Sequence, residues 1–326
     1  MTSQSTTPSG FDELTDQAFR KQSKKGTMYE ATYAGALSFC RRRYSRDLDN
    51  VDIAVTGIPW DSAVTNRPGC RFGPRAIREA STQLAELKSH AFGFDPFETL
   101  AVVDYGDATL NPHDPMSIPA NIEAHCQKIL DAGARSLCFG GDHFVAYPLL
   151  KAHAVKHGPI ALVQFDAHCD TWPSNGPLDH GTMFLRAVEE GIVDVDHSIQ
   201  IGLRTHNDLD VGIKGLSASW VHSHGVQATL AAIEQTAGQA PVYLSFDIDV
   251  LDPAFAPGTG TPVSGGLASW QALELIRGLE RVNMIAMDLV EVSPPYDHAQ
   301  ITALAAASVA YDWLGVMAKR RQLAQW

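Results

Sequence analysis

Ser136-Leu137-Cys138-Phe139 is a short apolar run that passes straight into Gly140-Gly141-Asp142-His143. A helical pattern follows as far as His157 and is closed by Gly158-Pro159. Residues 160–165 are apolar again, and they run into Asp166-Ala167-His168-Cys169-Asp170. Strand, helix and strand in this order make a crossover unit, which joins parallel strands. The pattern extends in both directions. Residues 51–58, 198–203, 242–246 and 284–290 read as further strands, and residues 75–86, 229–236, 270–279 and 301–314 as helices. Ile118, Ile122, Cys126, Ile129 and Leu130 fall at helical spacing, with Gly133 where a C-cap belongs. No repeat, low-complexity tract or linker interrupts the series. The expected fold is a three-layer α/β/α domain with a mainly parallel sheet covered on both faces. Residues 51–326 form that single domain. Residues 1–50 form an N-terminal extension packed on the domain or on a neighbouring subunit.

Composition sets outer limits. Of 326 residues 45% are hydrophobic and 19% charged, which is globular and excludes disordered, collagen-like and disulfide-scaffold classes. The net charge of −12 makes a poor partner for nucleic acid or anionic membrane and favours a cationic ligand. Five cysteines without a CxxC pair argue against a disulfide framework and a Cys-rich zinc site. The first residues lack the apolar core of a signal peptide, and no apolar run approaches the ~20 residues of a membrane span. A soluble, cytoplasmic protein is expected. The basic run Arg41-Arg42-Arg43 reads as a solvated face, with a subunit contact as its rival.

The polar residues that carry chemistry stand at or just past the ends of the strands, where parallel sheets bind their ligands. Asp166, His168 and Asp170 alternate at period two, as do Asp247 and Asp249, with Asp252 beyond them. On a strand such residues share one face. With His143 they would bring up to five carboxylates and two imidazoles together. That cluster is strongly repulsive by itself and becomes a site around two divalent cations. Carboxylate-rich ligation with one imidazole per ion suits Mn²⁺, with Ni²⁺, Co²⁺ or Zn²⁺ as alternatives.

Gly140-Gly141-Asp142-His143, Asp166-Ala167-His168-Cys169-Asp170 and Ser245-Phe246-Asp247-Ile248-Asp249-Val250-Leu251-Asp252-Pro253 resemble the three metal motifs of the ureohydrolases, the arginase and agmatinase family. Ala256-Pro257-Gly258-Thr259-Gly260-Thr261-Pro262, Arg67-Pro68-Gly69-Cys70-Arg71-Phe72-Gly73-Pro74-Arg75, Asp179-His180-Gly181-Thr182-Met183-Phe184 and Val290-Glu291-Val292-Ser293-Pro294 extend the likeness. It is nearest to the agmatinase branch. The resemblance implies an arginase-like fold, a trimer or hexamer, and two Mn²⁺ ions. One ion would be held by His143, Asp166, Asp170 and Asp247, the other by Asp166, His168, Asp247 and Asp249. Glu291 matches the acid that grips the guanidinium group, and His180 the loop imidazole that shuttles protons. Asp142 would orient a ligand from behind.

Guanidine hydrolysis needs an activated water, and a bound metal lowers the pKa of water from 15.7 to roughly 7. Asp170 is the candidate proton donor to the leaving amine, with His180 relaying protons to solvent. The products would be urea and an amine. The loop 171–179 contains Trp172, Asn175 and Asp179 but no Lys or Arg to pair with a substrate carboxylate. Agmatine, with its terminal ammonium, is therefore preferred over guanidinobutyrate or guanidinopropionate. Arg67, Arg71, Arg186 and Arg204 are the cations that could overturn this from elsewhere. Trp172 either stacks on the guanidinium or packs on a neighbouring subunit, and Cys169 faces away from the metals. The remaining rivals are a one-zinc amide hydrolase, a non-catalytic partner subunit, and an enzyme for an unusual guanidine or biguanide. An intact Asp247/Asp249 pair and a full ligand set speak against the first two.

Overall fold

A computed structural model describes residues 32–85, 88–174 and 179–326. Among these, eight strands form one sheet: β1 (Ile53–Ile58), β2 (Val102–Asp107), β3 (Arg135–Gly140), β4 (Ala161–Phe165), β5 (Ile199–Leu203), β6 (Lys214–Ser217), β7 (Val242–Asp247) and β8 (Met284–Val290). Their order is β2-β1-β3-β8-β7-β4-β5-β6, and every pairing is parallel. The helices are α1 (Gly73–Ser81), α2 (Pro96–Thr99), α3 (Ile118–Asp131), α4 (Ala146–His157), α5 (Met183–Glu189), α6 (Ala218–Ala237), α7 (Ser269–Arg277) and α8 (Ile301–Gln322).

The pleat divides each strand between two cores. Leu137 and Phe139 of β3 join Ile77 of α1 and the Ala- and Val-rich side of α8, while Cys138 between them joins Ile122 of α3 and Leu149 of α4. This is the three-layer α/β/α architecture, with the sheet buried on both faces. Phe139 is fully buried and meets Phe39 at a ring separation of 5.0 Å. Trimming such a side chain to alanine costs about 3–5 kcal/mol.

Several expectations change. β2 and β6 are strands the pattern did not reveal: β2 carries Asp104 and Asp107 in its run, and β6 is a four-residue edge strand with three exposed residues. The helix expected over 75–86 ends as α1 at Ser81 and continues only as a 3-10 turn, Thr82–Leu84, while Glu86 lies outside the described residues. α6 starts at Ala218, with its regularity broken at Gly225 (φ 80°), and α8 runs on to Gln322. α8 is also long and apolar enough to cross a membrane, but most of it is buried in the domain as a core helix. Arg41 and Arg42 are buried rather than solvated. The Arg42 guanidinium lies 4.2 Å from the centre of the Phe97 ring, an arrangement that lets a cation leave water. Phe39 N–H, beside them, donates to the buried Asp104 carboxylate. Of the N-terminal extension, residues 1–31 lie outside the described residues.

Candidate active site

The four central strands, β3, β8, β7 and β4, are neighbours in the sheet and deliver the site from their carboxyl ends. Phe165 pairs with Phe246 and Asp247 with Val290, so Asp166 and Asp247 stand abreast one step further along. Gly140 ends β3 and leads into His143, and Glu291 follows β8. A side chain at Gly141 would collide with the Trp60 main chain, so only glycine lets the loop turn here and bring His143 inward.

The alternating acids are not held by a strand pleat. β4 ends at Phe165, and Ile248–Val250 is a 3-10 turn. What aligns them is local hydrogen bonding. His168 N–H donates to Asp166 Oδ1 at 2.6 Å, and Asp249 N–H donates to Asp247 Oδ1 at 2.7 Å. In each, the carboxylate caps the amide two residues on, an Asx turn. Asp170 completes its segment with left-handed backbone (φ 54°).

The structure brings His143, Asp166, His168, Asp170, Asp247 and Asp249 together. His143 Nδ1 lies 3.0 Å from Asp166 Oδ2, 2.9 Å from Asp170 Oδ2 and 3.3 Å from Asp247 Oδ2. His168 Nδ1 lies 3.3 Å from Asp166 Oδ1 and 3.0 Å from Asp249 Oδ2. The two oxygens of Asp166 thus face two different imidazoles, and the carboxylate stands between them. Two donor groups result, His143-Asp166-Asp170 and Asp166-His168-Asp249. Asp252 stands apart. It accepts Ala254, Gly265 and Gly266 N–H groups and shapes a turn.

Charge in this cluster is strongly perturbed. Burial and the neighbouring Asp166 push Asp170 up to about 7. Burial likewise raises Asp247 and Asp249, each also repelled by adjacent carboxylates. Burial acts in the same sense on Asp166, but His143 and His168 overcome it and hold that carboxyl below its usual range. Burial works to lower His168, yet Asp249 and Asp166 lift it to about 12. So many buried anions require cations among them.

The donor chemistry fits a metal. His143 Nε2 lies 2.7 Å from Ser245 Oγ, and Ser245 Oγ–H donates to Asp288 Oδ1 at 2.8 Å. The serine proton is therefore committed, Nε2 carries a ring proton, and Nδ1 is the nitrogen left facing three carboxylate oxygens, the atom the ring would offer a metal. Among the described residues no hydrogen-bond partner satisfies that buried nitrogen. Tyr243 OH donates to the other oxygen of Asp288 at 2.8 Å, completing a buried support behind the ligand. This is the part expected of Asp142. Asp142 instead accepts Ala63 N–H at 2.8 Å and anchors a loop. Sequence reading missed Ser245 and Asp288, although Ser245 lies within a quoted motif.

Glu291 is buried and also left-handed (φ 63°). Strained non-glycine residues of this kind concentrate at functional sites. Its Oε1 accepts His143 N–H at 2.9 Å and the His180 Nδ1 proton at 2.8 Å. Thr65 N–H donates to His180 Nε2 at 3.0 Å, which requires a lone pair there. Burial lowers the His180 pKa, but Glu291 more than compensates and lifts it to about 9. Glu291 and Thr65 therefore pull the ring in opposite directions, a poise suited to proton transfer. His180 is buried in the protein and reaches solvent only through the cavity that it lines.

A cavity of about 390 Å³ opens onto His168, Asp170 and Asp247, with Thr65, Trp172, Asp179, His180 and Thr261 among its walls. No Lys or Arg lines it among the described residues. The four arginines that could have changed this are engaged elsewhere. Arg71 pairs with Asp61, Arg186 with Glu190, and Arg67 lies over the Tyr296 ring. Arg204 donates to the carbonyls of Asp249, Gly202 and Val263. Trp172 is held by its Nε1–H donating to His206 O at 3.2 Å, its ring 6.1 Å from that of His168. Cys169 points to Asn207, whose Nδ2 lies 3.3 Å from Sγ, and joins neither donor group. Asn175 lies outside the described residues.

The sequence profile of the Arginase family matches residues 51–315. The chain belongs to the arginase family. The family is binuclear metal-dependent, and the two donor groups around Asp166 are residues of this chain that could hold metal ions. It is 57% identical over 309 residues to an agmatinase of Chromobacterium violaceum, covering 94% of this chain and 96% of that one. Among solved structures it superposes on a hypothetical agmatinase from Burkholderia thailandensis with a TM-score of 0.93 at 55% identity, over 94% and 99% of the two chains. It also resembles proclavaminate amidino hydrolase from Streptomyces clavuligerus, with a TM-score of 0.82 at 37% identity over 89% and 99%. The arginase fold therefore accompanies relatives whose names describe different guanidino compounds.

Proposed function

We propose that this arginase-family enzyme is an agmatinase, adding water across the guanidino carbon of agmatine and cleaving its C–N bond to give urea and putrescine. The observation that carries the reading is the lining of the cavity: Asp170, Asp179 and Asp247 stand in its walls, and no described Lys or Arg does. A substrate with a guanidinium at one end and an ammonium at the other is matched at both. A guanidino acid would place its carboxylate among carboxylates. The agmatinase at 57% identity and the hypothetical agmatinase at 55% support the same choice.

Two Mn²⁺ ions fit the donors, one with His143, Asp166, Asp170 and Asp247, the other with Asp166, His168, Asp247 and Asp249. When bound, such a pair supplies the acidity that makes water a nucleophile near neutral pH. The chain's own groups do the rest. Glu291 holds the guanidinium and orients its carbon toward the cluster. Asp170 donates the proton that lets the amine leave, and His180, poised between Glu291 and Thr65, moves protons at its Nδ1. Asp179 receives the ammonium tail, and the Trp172 ring walls the path beside it. Asn175, on the same loop, belongs to this set as a tail contact. A reducing cytoplasm suits the five buried free thiols. A homo-oligomer, trimer or hexamer, completes the reading. The test is urea release from agmatine, guanidinobutyrate, guanidinopropionate and arginine by Mn²⁺-loaded protein. Agmatine should lead. Preference for a guanidino acid overturns the argument from the cavity.

A further inference from the structure

Glu291 has a second oxygen, and its surroundings differ from those of the first. Oε2 accepts the Cys70 thiol proton, with Sγ 3.0 Å away. On its other side a Cβ at Gly260 would stand only 3.1 Å from Oε2, so the carboxylate lies in a close-fitting slot. Cys70 is fully buried at the start of a 3-10 turn, Cys70–Phe72. The turn is built to hold it. Asp61 Oδ2 accepts Gly69 N–H at 2.7 Å and Arg71 N–H at 3.2 Å, and Asp61 Oδ1 accepts the Arg71 Nε proton at 2.5 Å. One residue thus fixes the backbone on both sides of the thiol.

We propose that Cys70 is a positioning residue for Glu291, its S–H orienting Oε2 so that the carboxylate meets a planar guanidinium edge-on. The inference rests on the reading of Glu291 as the guanidinium-binding acid. A thiol suits the task because it is a weak donor. It fixes direction while leaving most of the carboxylate's charge and a second lone pair on Oε2 for the substrate's N–H groups. The thiol remains a donor because burial, reinforced by Glu291 itself, keeps it protonated. Neither of the other Glu291 partners can substitute, since His143 N–H and His180 both use Oε1.

The test uses full-length Mn²⁺-loaded protein and compares Cys70→Ser, Cys70→Ala and Glu291→Gln. For each, metal content, melting temperature, kcat and KM for agmatine, and inhibition by free guanidinium ion are measured. Loss of a hydrogen bond to a charged group should lower kcat/KM about ten-fold in Cys70→Ala, with guanidinium inhibition weakened in parallel. Cys70→Ser, which restores a donor but not the sulfur's volume, should recover to within about three-fold of the parent. If Ser is as impaired as Ala, sulfur packing is the cause and the proposal fails. If both match the parent while Glu291→Gln is inactive, the proposal fails and the reading of Glu291 stands. Full activity in Glu291→Gln would remove that reading and this one with it.

Discussion

Ser245→Ala removes one hydroxyl from a fully buried strand position and should separate the two metal sites. In the structure that hydroxyl accepts from His143 Nε2 at 2.7 Å and donates to Asp288 at 2.8 Å. The variant leaves His143 without the acceptor that sets its tautomer and ring orientation, and it leaves Asp288 Oδ1 without this donor. Outer-shell substitutions of this kind cost about 10–100-fold in metal affinity, or roughly 1.4–2.8 kcal/mol. His168 has no link to Ser245, and its carboxylate neighbours Asp166 and Asp249 are untouched. The loss should therefore fall mainly on the ion held by His143. Calorimetric titration of chelator-dialysed protein with Mn²⁺ resolves this as one weakened and one nearly unchanged site, at least about ten-fold apart. Melting before and after loading checks that the fold is intact. Equal weakening of both sites, or none at either, would refute the view that Ser245 and Asp288 act through His143.

Other substitutions read different parts of the argument. Asp179→Asn should raise KM for agmatine about ten-fold while sparing guanidinobutyrate, as expected for loss of one charge-assisted contact; an unchanged ratio of the two substrates means Asp179 does not receive the tail. His153 is fully buried, with Nδ1–H donating to Leu149 O and Ser136 Oγ 3.1 Å from Nε2, and burial holds its pKa down at about 4. Its unfolded value is near 6.5, so the unfolded chain takes up a proton first as pH falls. Its stability contribution is therefore complete above about pH 6.5 and declines to a loss of about 3 kcal/mol by pH 4. Denaturation of His153→Gln across that range should lack this component; parallel profiles for variant and parent would assign the acid sensitivity elsewhere. Gly141→Ala should destabilise by about 3 kcal/mol or more, because the Trp60 main chain cannot yield as a flexible side chain would. A melting temperature within a degree or two of the parent would show that the loop does move.

The metal motifs were legible because their chemistry restricts residue type: only carboxylates and imidazoles serve such ions, and they lie close together in sequence. Strand periodicity was the wrong reason for their alignment, since Asx turns do that work past the strand ends. β2 was hidden by Asp104 and Asp107, which look like loop residues until Arg78 is seen bonding both. The burial of Arg42 was hidden too, because Phe97 lies 55 positions away and nothing local announces it.

By itself the sequence determined the alternation of strands and helices, and with it a parallel sheet. It also determined which acids and imidazoles stand ready where strands end. Only the tertiary structure decided the order β3-β8-β7-β4, which sets segments from 140 to 291 side by side. That order aims one oxygen of Asp166 at each imidazole and places Ser245, Asp288 and Cys70 behind the groups they support. The reason is physical. A residue's type and spacing are local properties, but the partner of a buried hydrogen bond is chosen by whichever strand packs alongside.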